Sequence, residues 1–355
     1  MNVTAGSLSI ASRDAQESRI AANWLHRLER CLGDEGAPLF RDALRETGIS
    51  QNDIHMATNI HQAQLDQVSR FLRADVPDIT LRMFAIAELI DLGLTGYAAV
   101  NSDSVGRAMN VLYQYHSLTS DRYNDQLERV GEMAIVTTTP FFNHLHDLQN
   151  IVEDSFMGNW RCLEILLGSA FDPGRVRLNF QHPAPAYLAT YESCFKGARL
   201  NFEAENNELH FPVRWLDNPV DNAIHGMENV YTAMCARILG PGDRTADTAE
   251  QVRRLLLSRP GRKMLRLEEA AEHLRLSPTQ LRKRLYRVNT SFKALVLEIR
   301  MELAKHYLLD TQLTVQEISY LLDYSQPAPF SRAFKLHCGL APDQYRRANS
   351  TLLSA

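Results

Sequence analysis

The last third of the chain shows the clearest alternation of apolar and polar positions, and the pattern there is helical throughout. Leu281 and Leu285 recur at i, i+4 in one segment, and Phe330 and Phe334 do so in a second. Each segment follows a shorter amphipathic stretch after a three-residue turn. The pattern predicts two similar helix pairs, Leu267–Leu274 with Pro278–Val288 and Val315–Leu322 with Gln326–His337.

The residues at the turns support this interpretation. Ser277 and Ser325 stand where a hydroxyl can cap the second helix of each pair. Pro278 and Pro327 fall in the first helical turn, where the missing N–H costs no hydrogen bond. We therefore expect a helix-turn-helix unit made twice.

The segment between the two pairs carries a single apolar stripe. Its members recur at helical spacing and are Phe292, Leu295, Val296, Ile299, Leu303 and Tyr307. This stripe predicts one long helix that joins the two units and fixes their relation.

The first 240 residues have a mixed pattern. Helical spacing covers roughly 14–31, 60–73, 79–91, 143–168 and 220–238, and a further helix starts at Val105 with Ser104 as its N-cap. Arg175–Phe180 alternates as a half-buried strand does. The pattern predicts an α+β fold in which helices outnumber short antiparallel strands.

A hairpin is expected near residue 205. Leu200 and Phe202 alternate with polar residues before the turn residues 205–207, and alternation resumes at Leu209 and Phe211. Because Pro212 cannot donate to a β-ladder, we expect the second strand to lie at an edge of its sheet.

Residues 240–250 are rich in Gly, Pro, Asp and Thr, and they predict a linker. This linker divides the chain into two predicted domains. Residues 1–239 are expected to form a regulatory, effector or dimerisation domain. Residues 251–349 are expected to form a helical domain with the two helix-turn-helix units.

Net charge changes sign at this linker. The 355 residues have a formal charge of −4, which by itself argues against a nucleic-acid partner. Residues 251–355, however, hold 18 Lys+Arg and 9 Asp+Glu, so this part is at +9 and the first 250 residues are at −13. The basic part is expected to meet a polyanion.

The remaining composition is that of a globular protein. Five scattered cysteines without a CxxC pair favour reduced thiols in the cytoplasm over disulfides or a zinc site. The N-terminus lacks the features of a signal peptide, and no stretch is apolar enough for a membrane span. We expect a cytoplasmic protein that needs no metal and no cofactor.

The outward side chains of the two second helices are polar and basic. Gln can pair with adenine, and Lys or Arg with guanine, at the major-groove edge, whereas later basic residues more often meet phosphates. The candidate base contacts are Thr279, Gln280, Lys283 and Gln326. The candidate phosphate contacts are Arg287, Arg332 and Lys335, and Arg282 and Ser331 share this face. The alternative is a solvated basic face on a helical bundle. One helix-turn-helix pattern would leave this alternative competitive, whereas two such patterns make it the weaker interpretation.

The run from Leu267 to Arg347 resembles the DNA-binding domain of AraC/XylS-type transcription regulators. The core 330–335 (FSRAFK) and the closing Gly339-Leu340-Ala341-Pro342 carry the resemblance. Three positions where that family usually has glycine hold Arg275, Asn289 and Asp323, of which Asn and Asp tolerate the left-handed conformation. The resemblance implies double-stranded DNA read in two successive major grooves, with RNA polymerase as a further partner.

The N-terminal part, over roughly 30–225, is similar to the arabinose-binding-like domain of the OruR/VirS-type subgroup. That similarity implies an activator whose N-terminal domain senses a small molecule, forms a homodimer, or does both. The alternative is a DNA-binding regulator whose N-terminal domain binds no ligand and serves for dimer or protein contacts.

An enzyme fused to a DNA-binding module is the third possibility, and the sequence gives it no support. His144, His146 and Asp147 are close in sequence, but i, i+2 spacing puts the histidines on different helix faces. His182 is interpreted as a loop residue bonded to backbone. Six aromatic residues could line a ligand cavity but are better interpreted as core: Trp160, Tyr187, Tyr191, Phe195, Phe202 and Trp215. No catalytic residue is assigned, and the ligand-binding residues stay unknown.

Overall fold

The computed structural model describes residues 10–350 apart from 57–59, 121, 142–146, 222, 240–247, 258–263 and 275. It divides into two compact units, of which Glu17–Asn222 is one and the chain from Ala223 onward belongs to the other. His144, His146, Arg275 and most of the predicted linker lie outside the described residues.

Helices form most of the first unit, and each predicted helix overlaps an observed one. Before residue 222 the helices are α1 (Ile10–Thr47, with a break at Gly33), α2 (Gln51–Met56), α3 (Gln62–Arg73), α4 (Ile79–Ala85), α5 (Leu94–Val100), α6 (Val105–Gln114), α7 (Leu148–Leu167) and α8 (Leu188–Cys194). Ser104 caps α6 as predicted, since its hydroxyl accepts from the N–H of Arg107.

One five-stranded sheet packs with these helices. Its strands are β1 (Tyr123–Val130), β2 (Met133–Pro140), β3 (Arg177–Asn179), β4 (Arg199–Asn201) and β5 (Glu208–Pro212), in the order β1-β2-β5-β3-β4. β3 pairs parallel with β4, and the other neighbours are antiparallel. The side chains of Val136, Leu209 and Leu178 form a buried row across the three middle strands.

The expected hairpin near residue 205 is wrong. β4 pairs with β3, and β5 lies between β2 and β3 in the middle of the sheet. Pro212 occupies the last position of β5, where the missing N–H removes no hydrogen bond from the rest of the strand. A proline inside a strand confines that strand to the edge of a sheet, whereas a proline at the end of a strand does not.

Helix α7 is the centre of the first unit. Its buried residues include Phe156 and Trp160, whose rings contact Phe180 and Phe195. Aromatic rings of Tyr191 and Phe202 pack on Phe180, and Trp215 packs on Phe211. These aromatic residues form core, as the sequence favoured.

The second unit is helical. Its helices are α9 (Met227–Leu239), α10 (Thr248–Leu257), α11 (Leu267–His273), α12 (Pro278–Arg287), α13 (Phe292–Asp310), α14 (Val315–Leu321), α15 (Pro327–Cys338) and α16 (Pro342–Ser350). Helix α9, placed in the N-terminal domain by the sequence division, packs against α10 and α13.

Helix α13 is the predicted connecting helix, and it contacts α9, α10, α14, α15 and α16. Leu295, Ile299, Leu303 and Tyr307 of the predicted stripe are buried in it. Helices α11 and α12 pack on each other, and α12 also packs on α10. Through α10, the first helix pair is therefore fixed to the same helix that carries the second pair.

The two pairs differ by one residue in the turn. The N–H of Leu276 bonds to Ala271 O and that of Tyr324 to Ser319 O, so the turns begin alike. Helix α12 then starts two residues after Leu276, whereas α15 starts three residues after Tyr324. The N-cap of α15 is consequently Gln326 and not Ser325, which corrects the sequence prediction.

Asn289 and Asp323 take φ values of 54° and 61°, as expected for residues that replace glycine in left-handed turns. No helix in the described ranges is long and apolar enough to cross a bilayer.

Gly226 and Gly339 offer a matched test of packing in the second unit. Both have left-handed φ, 82° and 80°, but a Cβ at Gly226 would lie 1.3 Å from Asp310 O, whereas a Cβ at Gly339 meets nothing within 4 Å. We expect Gly339→Ala to cost about 1–2 kcal/mol of unfolding free energy and Gly226→Ala at least twice as much.

Calorimetry of the full-length variants measures both losses. Equal losses would mean that the close approach of Gly226 to the end of α13 does not hold in solution.

Candidate nucleic-acid interface and interior cleft

Helix α12 has one buried and one exposed face. Leu281 and Leu285 are buried against the rest of the unit, at 0 % and 1 % exposure. The predicted contact residues Thr279, Gln280, Arg282, Lys283 and Arg287 are all exposed. The structure therefore brings the five residues to the surface of a single short helix.

Gln280 also has a local structural role. Its Oε1 accepts from the backbone N–H of Ser277 at 2.8 Å, and the Ser277 hydroxyl accepts from the N–H of Gln280 at 3.2 Å. This is a capping box, which satisfies two backbone donors at the start of α12. In the free protein the amide oxygen of Gln280 is thus already engaged.

Arg282 has an acidic neighbour on α11. Its Nη2 lies 3.7 Å from Glu268 Oε1, and both side chains are more than 60 % exposed. An ion pair this open to solvent stabilises little. The guanidinium can exchange Glu268 for another anion at small cost.

Helix α15 repeats the arrangement with fewer polar residues. Phe330 and Phe334 are fully buried, while Arg332 and Lys335 are exposed and Ser331 is half-buried. Gln326 is exposed at the N-cap, where its side chain makes no capping bond.

Two exposed apolar side chains on these faces were not predicted. Tyr286 on α12 is 81 % exposed and lies three residues after Lys283. Leu336 on α15 is 90 % exposed and lies four residues after Arg332. Helical spacing would have placed both side chains on the outward faces if it had been applied to every residue type and not only to polar residues.

Arg300 of α13 holds the turn before α15. Arg300 Nη2 donates to the Asp323 backbone oxygen at 3.3 Å and to its Oδ2 at 3.1 Å. The same guanidinium lies over the ring of Tyr324, 4.9 Å from the centroid. Asp323 thus has two roles: it adopts the left-handed conformation of the turn, and it accepts the hydrogen bonds that connect the turn to α13.

A cleft of about 590 Å³, part of it open to solvent, lies inside the first unit. Its walls are mostly apolar and aromatic, with Trp24, Phe84, Leu112 and Tyr113 among them. The polar lining includes Asp125, Asp154, Ser155 and Asn159.

Asp125 on β1 is buried among neutral donors. Its carboxylate accepts from the hydroxyls of Thr138 and Ser155, both at 2.8 Å, and from Asn159 Nδ2 at 2.8 Å. Burial raises the pKa of Asp125, although these hydrogen bonds and His116 act in the opposite direction. Within the described residues, the donors that hold this carboxylate in place include no Lys or Arg.

Asp154 on α7 belongs to a larger charged group. It accepts from Tyr123 Oη at 3.1 Å and from Arg122 Nη1 at 3.2 Å. The Arg122 guanidinium also contacts Asp147 at 3.1 Å and Asp66 at 3.7 Å. Burial raises the pKa of Asp154 to about 7 in spite of Arg122.

The other candidate groups of the first unit have structural roles. Asp147 accepts from both terminal nitrogens of Arg73, at 2.9 and 3.2 Å. His182 bonds through Nδ1 to the backbone oxygen of Pro183 at 2.8 Å, as predicted. Glu153 accepts from the hydroxyls of Tyr187 and Tyr191 at 2.7 Å each, which ties α7 to α8.

The cleft residues come from separate parts of the chain, so sequence reasoning did not find them. The signal in the sequence was Asp154, which lies in the polar run Glu153-Asp154-Ser155 between apolar residues of a predicted helix. Such a residue is buried with partners or is exposed, and the sequence alone could not decide which.

Family models match both units. Residues 40–220 match the model described as the arabinose-binding domain of AraC transcription regulator, N-terminal. Residues 270–348 match the model of a helix-turn-helix domain. The first of these matches alone spans more than half of the chain.

Whole proteins show the same similarity. The chain is 27 % identical to the ornithine utilization regulator of Pseudomonas aeruginosa, over 86 % of this chain and 94 % of that protein. It is 34 % identical to an uncharacterized HTH-type transcriptional regulator of Mycobacterium tuberculosis, over 86 % and 93 %. Among solved structures, the transcriptional regulator CdpR from Pseudomonas aeruginosa aligns with a TM-score of 0.39 and 18 % identity, over 88 % of this chain and 98 % of that chain.

The raised pKa of Asp154 predicts a pH-dependent stability. A carboxyl that binds its proton more tightly when folded stabilises the fold below its unfolded pKa, and this contribution is lost as pH rises towards 7. Relative to Asp154→Asn, which stays neutral, the wild type should therefore lose melting temperature between pH 4 and pH 7.

Thermal melts of both proteins at several pH values in this range give the comparison. A difference in melting temperature that is constant with pH, or that changes in favour of the wild type, would contradict the raised pKa.

Proposed function

Because the chain belongs to the AraC family of transcription regulators, we propose that it recognises specific DNA through both of its exposed helix faces. The observation that carries the proposal is the repeated arrangement of α12 and α15. Each helix buries an i, i+4 apolar pair and exposes basic residues on the opposite side. Each follows a short helix and a tight turn, so both pairs act as helix-turn-helix units.

The scaffold supports simultaneous binding of the two units. Since α13 contacts the second pair directly and the first pair through α10, the two recognition helices keep a constant separation. Successive major grooves on one face of B-DNA are about 34 Å apart. We propose that α12 and α15 enter two such grooves.

The outward residues divide into two roles. Thr279, Gln280, Lys283 and Gln326 lie at or near the helix starts and read base edges, while Arg287, Arg332 and Lys335 bind phosphates. Arg282 and Ser331 add contacts on the same faces. Bidentate pairing of Gln280 with adenine requires that its capping box opens, because the box uses the amide oxygen.

The N-terminal domain senses a small molecule in this proposal, and it also forms the homodimer. The interior cleft with its polar lining favours sensing over a purely structural role. We propose further that the protein is a cytoplasmic, non-enzymatic activator that contacts RNA polymerase. The domain limits remain those of the sequence, with 1–239 as regulatory domain, 240–250 as linker and 251–349 as DNA-binding domain.

The second candidate function is a regulator whose N-terminal domain binds no ligand and serves for dimer or protein contacts. A metabolite panel separates the two, since a ligand selective for the native state raises the melting temperature. Absence of a shift across the panel favours this second candidate.

Two substitutions test the roles assigned to the outward residues. We expect Lys335→Ala to weaken binding to operator and random DNA alike and to lower the slope of log affinity against log salt by about 1. Gln280→Ala should instead reduce the preference for operator by about 5-fold to 100-fold. Fluorescence anisotropy on a selected operator and on random DNA measures both.

Gln280→Glu is the control for the capping role of Gln280. A glutamate still accepts from the N–H of Ser277, so the helix start is kept while the amide needed for base pairing is lost. The melting temperature of Gln280→Glu should equal that of the wild type. Its loss of preference for the operator should equal that of Gln280→Ala. Equal losses on operator and random DNA would contradict base reading by Gln280.

Rigid spacing predicts a strict dependence on the distance between half-sites. Inserting 5 bp into the operator puts the two grooves on opposite faces of the duplex, and inserting 10 bp moves them about 34 Å further apart. We expect both insertions to reduce binding to that of a single half-site, as measured by gel shift of the full chain. Recovery of affinity at 10 bp would mean that the two units are not held together by α13.

A further inference from the structure

We propose that the interior cleft of the N-terminal unit binds an organic cation, a protonated amine carried on an apolar or aromatic body. This inference rests on the sensor role proposed above, and it names the chemical class of the effector. It is carried by the lining of the cleft and by the balance of charge at its polar end.

The size and walls of the cleft suit the body of such a ligand. The space between the walls measures about 590 Å³ together with the open solvent at the mouth of the cleft, and most of its lining is apolar. Trp24 and Phe84 meet edge to face, with ring centroids 4.8 Å apart, and both belong to the wall. Aromatic rings attract cations as well as apolar groups.

The polar end of the cleft carries an excess of negative charge. Asp125 is held by two hydroxyls and one amide, all neutral. Asp154 has Arg122 as a partner, and that guanidinium also contacts Asp66 and Asp147, of which Asp147 is bound by Arg73 as well. An ammonium group at this end would compensate the charge of Asp125, which has no Arg or Lys among its hydrogen-bond donors within the described residues.

His116 is a further titratable side chain of the lining, and it acts on Asp125 as a positive charge when protonated. An alkylamine keeps its proton at pH 8, and a higher pH favours the neutral form of an imidazole. A mildly alkaline pH therefore reduces competition between His116 and the amine, so pH 8 is the condition for the test.

Trp24 adds an independent requirement. Its Nε1–H is buried and has no acceptor within the described part of the chain, although the side chain lines the cleft. A buried donor without an acceptor costs about 1–3 kcal/mol. We infer that the ligand also presents a hydrogen-bond acceptor.

The same features disfavour an acidic ligand. A carboxylate placed in the cleft would meet Asp125 and Asp154 at its polar end. The guanidinium of Arg122, which could bind it, is already shared among three carboxylates. Like charges within one buried site repel strongly.

Three probes of similar shape separate the classes. Full-length protein at pH 8 is melted with tyramine, with 4-hydroxyphenylacetate, and with 4-ethylphenol, each at 10 mM. The phenol hydroxyl supplies the acceptor in all three, and the group at the other end is cationic, anionic or absent. We expect tyramine to raise the melting temperature by about 2–4 °C, 4-ethylphenol by less, and the acid not at all.

Two variants locate the effect. Asp125→Asn removes the charge at nearly constant shape and should abolish the advantage of tyramine over 4-ethylphenol. Gly158→Leu fills the cleft from α7 and replaces no carboxylate, and its Cβ would have Phe84 Cε1 at 3.8 Å as its near neighbour. It should abolish the shift for both probes, and it keeps the test valid if Asp125→Asn fails to fold.

The outcomes distinguish this proposal from the function on which it rests. A larger shift with the acid, equal shifts with all three probes, or no shift with any overturns the cation site. An unchanged tyramine shift in Gly158→Leu overturns its location. If tyramine shifts melting but leaves operator affinity unchanged, the cation site stands and the sensor role fails.

Discussion

Both helix pairs of the second unit take their positions from α13. Arg300 on this helix donates to the backbone and side chain of Asp323 and stacks on Tyr324, so the turn of the second pair is fixed to it. Arg346 of α16 bonds to the backbone oxygen of Leu308 near the end of α13. The spacing of major grooves leaves little tolerance for movement. In the proposed function, recognition by both helices therefore depends on contacts made far from the DNA-facing residues.

The first unit shows a different use of buried polar groups. Apolar residues could fill the interior at lower desolvation cost than Asp125, Glu153 and Asp154 do. Their hydrogen bonds link β1, α7 and α8 to one another, so the carboxylates specify how the sheet and helices meet. The same desolvation would make the proposed ligand site selective, because water would not screen a ligand of the wrong charge there.

Local patterns predicted the parts of the molecule that local forces decide. The i, i+4 pairs Leu281/Leu285 and Phe330/Phe334 placed the second helix of each pair. The left-handed turns at Asn289 and Asp323 followed from the family resemblance, since the family usually has glycine at these positions and Asn and Asp tolerate that conformation. Gln326 at the cap of α15 differs from the prediction because one added turn residue leaves no mark on the apolar spacing.

Long-range pairing could not be predicted in the same way. The position of β5 depends on pairing with β2, 71–79 residues earlier in the chain, and with β3, 29–33 residues earlier. Because Pro212 lies at the end of β5, it is compatible with a central strand. The cleft joins Trp24, Asp125 and Asn159, which no periodicity relates. The charge asymmetry, by contrast, is visible in sequence and acts at long range. In the proposed DNA-binding regulator, the acidic first 250 residues would repel DNA most at low salt, where the basic remainder would attract random DNA most strongly. The two salt dependences would oppose each other and leave the short-range base contacts to determine the preferred site.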